Sequence, residues 1–214
     1  MTDSTAPRRR LRSAAAGLSA ASALAMLSAC DPQPSDEQIS RERYGAPTEV
    51  AAFNNVDECK ASGAFAQVTC EEAARNAAAE DSKTAPRFAD RDVCEDQFGS
   101  GNCLVRSEGG QSFFVPLLTG FMIGRMLNGP GYHYSGLYRS GRDQRYYTPG
   151  GAWLYGGGYG GRGYSYQVGS RAVTAPVTTQ RIQTRSSVVS RGGFGGRVSA
   201  RSSGGWGGGR SFGG

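Results

Sequence analysis

The sequence predicts a mainly α-helical fold: a small disulfide-stapled head domain followed by a long disordered Gly/Arg/Tyr-rich tail. Three observations carry this expectation. Beyond Cys30, all four remaining cysteines and an alanine-rich helical run fall in the first half of the chain. The stretch from Gly129 on holds 24 of the 33 glycines. Charge also divides: residues 31–108 contain 16 acids and 8 bases, whereas residues 129–214 contain 11 arginines and one acid, Asp143. The net charge of +6 therefore conceals an acidic head and a basic tail.

The N-terminus is an export segment. Arg8, Arg9, Arg10 and Arg12 precede the uncharged, mostly apolar or small run Ala14–Leu27. This is the charged, apolar and small-residue order of a secretory signal. The run has 14 residues, short of the roughly 20 that a membrane-spanning helix needs. It leads into Leu27-Ser28-Ala29-Cys30, which reads as a bacterial lipobox with Cys30 as the lipidated residue. Palmitate-type chains on that cysteine would hold the mature protein to a membrane of the cell envelope, on the periplasmic side. Each buried methylene contributes roughly 0.8 kcal/mol, and two or more chains make the anchor stable. Asp31 resembles the residue that retains lipoproteins at the inner membrane in enteric bacteria; the sequence leaves inner and outer membrane open.

Residues 31–50 are polar and proline-bearing and read as a tether. In the head, Cys59, Cys70, Cys94 and Cys103 form an even set in an exported chain, which points to disulfides. Asp57-Glu58-Cys59 and Asp92-Val93-Cys94 begin two similar units, favouring the local loops Cys59–Cys70 and Cys94–Cys103. The crossed pattern, Cys59 with Cys103 and Cys70 with Cys94, is the rival. Each local loop would stabilise by roughly 3 kcal/mol, which matters in a head this small. Metal binding is not expected: no CxxC pair occurs and the only histidine is His133. Nor is there a calcium loop; the carboxylates read as a solvated face. Glu71–Lys83 is predicted helical from its Ala, Glu and Arg content, with Pro86 beyond its end. Asp90 is a plausible cap for a helix over Arg91–Phe98 that stops at Gly99.

The most apolar mature stretch is 113–127, predicted as a helix with Pro116 in its first turn. Gly120 and Gly124 form a small-xxx-small pair that admits close approach. Its contact face would be Phe113, Phe114, Leu117, Leu118, Phe121 and Met122. It serves either as a core helix or as an interfacial or self-associating helix that contacts a protein partner.

From Gly129 on, Gly, Tyr, Ser and Arg alternate, as in Tyr155-Gly156-Gly157-Gly158-Tyr159. Such composition predicts a flexible basic segment. Arg162, Arg191, Arg197 and Arg201 are its candidate polyanion contacts. In an exported chain these would meet anionic lipid or lipopolysaccharide phosphate rather than RNA; nucleic acid is not the expected partner, and a solvated spacer without a ligand is the plainer alternative. No phosphate-binding loop and no nucleophile elbow occur, and a lone histidine makes a poor general base. The expectation is a non-catalytic binding or scaffolding protein without cofactor. The predicted organisation is a signal peptide at 1–29, a tether at 30–50, a head with its apolar helix at 51–128, and a disordered basic tail at 129–214.

One set of residues resembles a known family. Asp57-x-Cys59, Cys70, Thr84-Ala85-Pro86-Arg87-Phe88-Ala89, Asp92-x-Cys94, Phe98-Gly99 and Cys103 are similar to the YgiB-like bacterial lipoproteins. So are Ser112-Phe113-x-x-Pro116-Leu117, Gly124-Arg125 and Arg191-Gly192-Gly193-Phe194-Gly195. The resemblance implies a lipoprotein without an established biochemical activity and supplies no catalytic residues.

Overall fold

Residues 47–53, 120–125 and 132–139 pair into a sheet where the composition had suggested helices and coil. The computed structural model describes residues 34–127, 129–157, 163–175, 178–190 and 193–194. The chain divides after Pro34, and the unit beginning at Ser35 contains six helices and nine strands among its described residues.

Helix α1 (Asp36–Tyr44) opens on a capping box: Gln38 N donates to the Ser35 hydroxyl and Ser35 N to the Gln38 side chain. It occupies much of the expected tether. Strand β1 (Pro47–Phe53) follows, then α2 (Val56–Ser62), capped by the Asn55 side chain and ended by Gly63 at φ 63°. The long helix α3 (Gln67–Thr84) buries Ala73 and Ala77; it contains the predicted 71–83 helix and stops before Pro86. After β2 (Arg87–Phe88) comes α4 (Arg91–Phe98), ended by Gly99 at φ 95°. Its Asp90 stands at the cap position without a side-chain cap bond, and the Val93 N–H donates instead to Asp92.

Strands β3 (Cys103–Glu108) and β4 (Gln111–Pro116) form a hairpin. Its turn, Gly109-Gly110, has both φ angles positive, at 59° and 81°, as a tight primed turn requires. Then come β5 (Gly120–Arg125), β6 (Tyr132–Arg139), β7 (Tyr146–Tyr147), β8 (Ser165–Gly169), α5 (Arg171–Thr174), β9 (Ile182–Gln183) and α6 (Arg185–Ser190). One sheet has the order β7-β6-β5-β1-β8, and its pairings are antiparallel; the other has the order β3-β4-β2-β9, with β9 parallel to β2. Residues 153–155 join the outer strands of the first sheet. Tyr147 bridges Trp153, and Tyr155 exchanges two backbone hydrogen bonds with Gln167. The sheet thereby curls round Val50, Ala52, Met122, Leu137, Leu154 and Val168. Its other face carries Ala51, Phe53, Phe121 and Ile123 against α2 and α3. A third cluster, Phe88, Val93, Phe98, Phe113, Val115 and Tyr138, fills the space around α4 and the second sheet.

The mainly α expectation is thus overturned: the unit is mixed α/β with two sheets. Residues 113–127 are not one helix. Phe113 and Phe114 lie in β4, Gly120, Phe121, Met122 and Gly124 in β5, and Leu117 and Leu118 in the link between them. A spacing of four keeps two residues on one face at a period of 2 as well as at 3.6, so Gly120 and Gly124 could not distinguish strand from helix. In the sheet both serve close approach. A Cβ on Gly120 would stand 2.4 Å from Phe53 O, and one on Gly124 would stand 2.7 Å from a Val173 methyl.

The described parts of 129–190 are folded as well. Their core is aromatic: Trp153 and Tyr138 are fully buried, and Tyr147 nearly so. Large buried side chains stabilise by roughly 1.5–3 kcal/mol each, so aromatics replace the missing aliphatics. The basic tail also answers the acidic head directly. Arg145 pairs with Asp36 at 2.6 Å, and Arg185 pairs with Asp92 and, at 3.5 Å, with Asp96.

Candidate functional site

A cleft of about 630 Å³ opens on the helix-facing side of the curled sheet, at the end where α2 turns into α3. The strand register builds its floor. Ala51 stands opposite Ile123 on one side and Ser165 on the other, which sets the three in one row. Glu49 and Arg125 are each two residues farther along their strands, so they share that face at its solvent edge. Both line the cleft, with Tyr132 and Tyr164 beside them.

The far wall is Ser62, Gly63, Ala64 and Phe65, and its shape follows from covalent and local restraints. Cys59 and Cys70 are bonded at 2.03 Å, closing a loop that contains all four residues. Inside it the Ser62 hydroxyl donates to Cys59 O at 2.6 Å, and Ala64 N donates to Ser62 Oγ at 3.2 Å. Lys60, also within the loop, donates to Glu71 just beyond it at 2.6 Å. That bond, with the nearby ammonium charge, holds the Glu71 carboxyl below its ordinary pKa. Phe65 is thereby carried to the sheet, edge-on to Tyr132 at 5.4 Å and to Phe53 at 6.1 Å. Tyr164 meets Phe53 at 5.3 Å, and Tyr132 stacks on Tyr134 at 6.5 Å. Burial, followed by the charge of Glu72, raises the Tyr134 hydroxyl's pKa. Phe65, Tyr132 and Tyr164 are each half-buried, so these rings keep surface turned to the cleft.

The polar groups are few and differ in how they are held. The Ser165 hydroxyl donates to Glu49 Oε1 at 2.9 Å, which fixes the carboxylate and leaves its second oxygen outside that bond. Arg125 is exposed, and its guanidinium makes no ion pair or hydrogen bond with any described residue. The lining contains no histidine or cysteine. Among the described residues no group of three or more His, Cys, Asp or Glu side chains is placed to hold a metal. Such an arrangement can stack a ring, accept hydrogen bonds and pair with an anion.

The sequence-derived candidates lie elsewhere. Cys30, Arg162, Arg191, Arg197 and Arg201 fall outside the described residues. Cys94 is bonded to Cys103, so the cysteines form the two local loops and not the crossed pattern. The eight residues of the apolar segment share no single face. Phe113 is buried beside α4 with Phe114 and Leu118 against the same cluster, Met122 points inside the curled sheet, Phe121 packs on its opposite side, and Leu117 is partly exposed. Sequence reasoning missed Glu49, Phe65, Tyr132 and Tyr164. Arg125 had appeared only within the Gly124-Arg125 motif. The available signal was the alternation of Tyr132, Tyr134, Gly136 and Tyr138, which marks a strand with an aromatic face.

Comparison with known proteins supplies a family and no activity. The family model described as a protein of unknown function (DUF1190) matches residues 47–205. A UPF0441 protein of Serratia proteamaculans (strain 568) is 30% identical over 199 residues, covering 86% of this chain and 81% of that protein. A UPF0441 protein of Klebsiella pneumoniae (strain 342) is 28% identical over 200 residues, covering 86% and 80%. One from Erwinia tasmaniensis is 32% identical over 122 residues, 51% of this chain and 49% of the relative. No solved structure matches. The cysteine spacing, the folded segment and these matches agree: the chain belongs to the DUF1190 family, in keeping with its YgiB-like motifs.

Proposed function

We propose that this chain is a lipid-anchored protein of the bacterial cell envelope that holds a ligand in the Phe65–Tyr132 cleft and catalyses no reaction. The observation that carries the proposal is the pair of buried disulfides, Cys59–Cys70 and Cys94–Cys103, downstream of a lipobox. Disulfides persist in oxidising compartments, and Cys30 is the residue an export pathway would acylate. Among the described residues no helix is long and apolar enough to cross a membrane; the proposal assigns membrane attachment to acyl chains on Cys30. The cleft's chemistry favours binding. Of its two serine hydroxyls, that of Ser62 is donated to Cys59 O and that of Ser165 to Glu49, and its lining holds no histidine or cysteine.

The tail arginines support the cleft over a tail-driven polyanion site. Arg145 and Arg185 are ion-paired with carboxylates, and Arg142 and Arg171 are held on backbone carbonyls, so these four guanidiniums are engaged inside the unit.

The test is mass spectrometry of the mature N-terminus after membrane fractionation. The expected result is a membrane-bound chain beginning at Cys30, carrying a diacylglyceryl group and no free thiols. A soluble chain with an intact Met1 and four reduced cysteines would overturn the proposal.

A further inference from the structure

We infer that the ligand of this cleft is an acidic amino sugar: a pyranose ring bearing a carboxylate or phosphate. The inference rests on the cleft-binding reading above and names the ligand class. Four features point to it. The cleft's volume of about 630 Å³ falls within the roughly 300–1,000 Å³ of small-ligand sites. Half-buried aromatic rings, Phe65, Tyr132 and Tyr164, stand around a floor of small and apolar side chains, Ala51, Ile123 and Ser165. The C–H face of a pyranose stacks on such rings, while hydroxyl-bearing edges remain beside the tyrosine hydroxyls. Glu49, fixed through one oxygen by Ser165, has its other oxygen to accept from sugar hydroxyl or amide N–H groups. Arg125, unpaired among the described residues, offers a planar guanidinium at the same edge, which suits a carboxylate or phosphate in bidentate geometry.

Other ligand classes leave one of these groups unmatched. An acyl chain would cover Glu49 and Arg125 without giving either a partner. A cationic ligand would face Arg125, and a polyanionic strand would face Glu49. A neutral sugar would satisfy the rings and Glu49 but waste the guanidinium. A sugar with one acidic substituent satisfies all of them.

The test is calorimetric titration of the mature acylated chain in detergent micelles. The probes are the disaccharide of N-acetylglucosamine and N-acetylmuramic acid, the diphosphorylated glucosamine disaccharide, and the neutral disaccharide of two N-acetylglucosamines. The expected result is at least about a tenfold preference for an acidic probe over the neutral one. The carboxylate and phosphate arms identify the source, cell-wall glycan or lipopolysaccharide headgroup. Arg125→Gln is expected to abolish the preference without changing the unfolding midpoint, and Tyr132→Leu to weaken all three probes. Equal binding of the neutral and acidic probes, or a preference that survives Arg125→Gln, overturns the inference. Failure of every saccharide also overturns it. In that case a library ligand whose binding depends on Tyr132 would keep the cleft-binding proposal standing, while no dependence on Tyr132 or Arg125 for any ligand would sink both.

Discussion

Replacing Cys59 and Cys70 together by alanine removes the staple that shapes the cleft's wall, and its cost can be worked from the chain. The two residues are 11 apart. The chain-entropy relation gives roughly 3 kcal/mol for a loop of that length. Both cysteines are fully buried, so the missing sulfur atoms add about 1 kcal/mol for imperfectly filled volume. At a urea slope of about 2 kcal/mol/M, the loss corresponds to a midpoint lowered by about 1.5–2 M. The Cys94→Ala/Cys103→Ala pair, 9 residues apart, is expected to cost nearly the same, because entropy varies only slowly with loop length. The two pairs separate at the cleft. Only the first loop contains Ser62 to Phe65, so the first variant should lose ligand affinity under conditions where both variants remain folded. Urea unfolding followed by circular dichroism gives the stability, and titration at low denaturant gives the affinity. A midpoint shift below about 0.3 M for the first pair, or an equal loss of affinity in both pairs, would refute the reasoning.

Three further expectations follow from buried polar groups and one from a close backbone approach. Asp81 accepts from the Tyr138 hydroxyl at 2.6 Å and from Arg106 at 2.5 Å, so Asp81→Ala should destabilise by about 3 kcal/mol in urea unfolding, because it leaves a buried hydroxyl without its acceptor and a guanidinium without its counter-charge. Burial, then the charge of Asp81 and its hydrogen bond, raises the Tyr138 pKa above its ordinary 10. Its contribution is therefore fully present below pH 10 and is lost as pH rises beyond that value, and Tyr138→Phe should flatten the alkaline limb of the melting curve. His133 behaves oppositely: burial holds its pKa below 6.5 against the opposing charge of Glu80. Its contribution is present above 6.5 and is lost as pH falls below it, so His133→Gln should lessen the drop in melting temperature between pH 7.5 and 5. Gly120→Ala would drive a Cβ to within 2.4 Å of Phe53 O, and a loss of about 2–3 kcal/mol in urea is expected; a neutral result would contradict the β1–β5 register.

What the sequence disclosed was what local chemistry encodes. The α3 and α4 helices announce themselves through alanine content, Pro86 and Gly99, signals carried within a turn or two of chain. The cleft does not, because Glu49, Phe65, Arg125, Tyr132 and Tyr164 come from five separate segments, which only the strand register and the Cys59–Cys70 loop bring together. The tail misled for a different reason. Its glycine and arginine content resembles a solvated chain, yet tertiary packing needs only a few well-placed rings. Phe194 shows how one residue can override its neighbours' composition. It lies 5.3 Å from Phe98, 5.8 Å from Tyr147 and 6.3 Å from Phe88, and its N–H donates to Gln97 Oε1 at 3.0 Å. Aromatic pairs of this kind add roughly 0.5–1.5 kcal/mol each beyond burial, enough to fix a short segment in a glycine-rich context. The charge split follows the same logic. Opposed blocks in a sequence suggest an external polyanion, but Arg145 with Asp36 and Arg185 with Asp92 and Asp96 bring the blocks together within one unit. Exposed pairs of that kind are worth at most about 1 kcal/mol, so they orient the chain more than they stabilise it. Arg125 lies between the two blocks and is counted in neither. Its guanidinium stays unpaired among the described residues, at the edge of a cleft whose rings and carboxylate are already fixed in place.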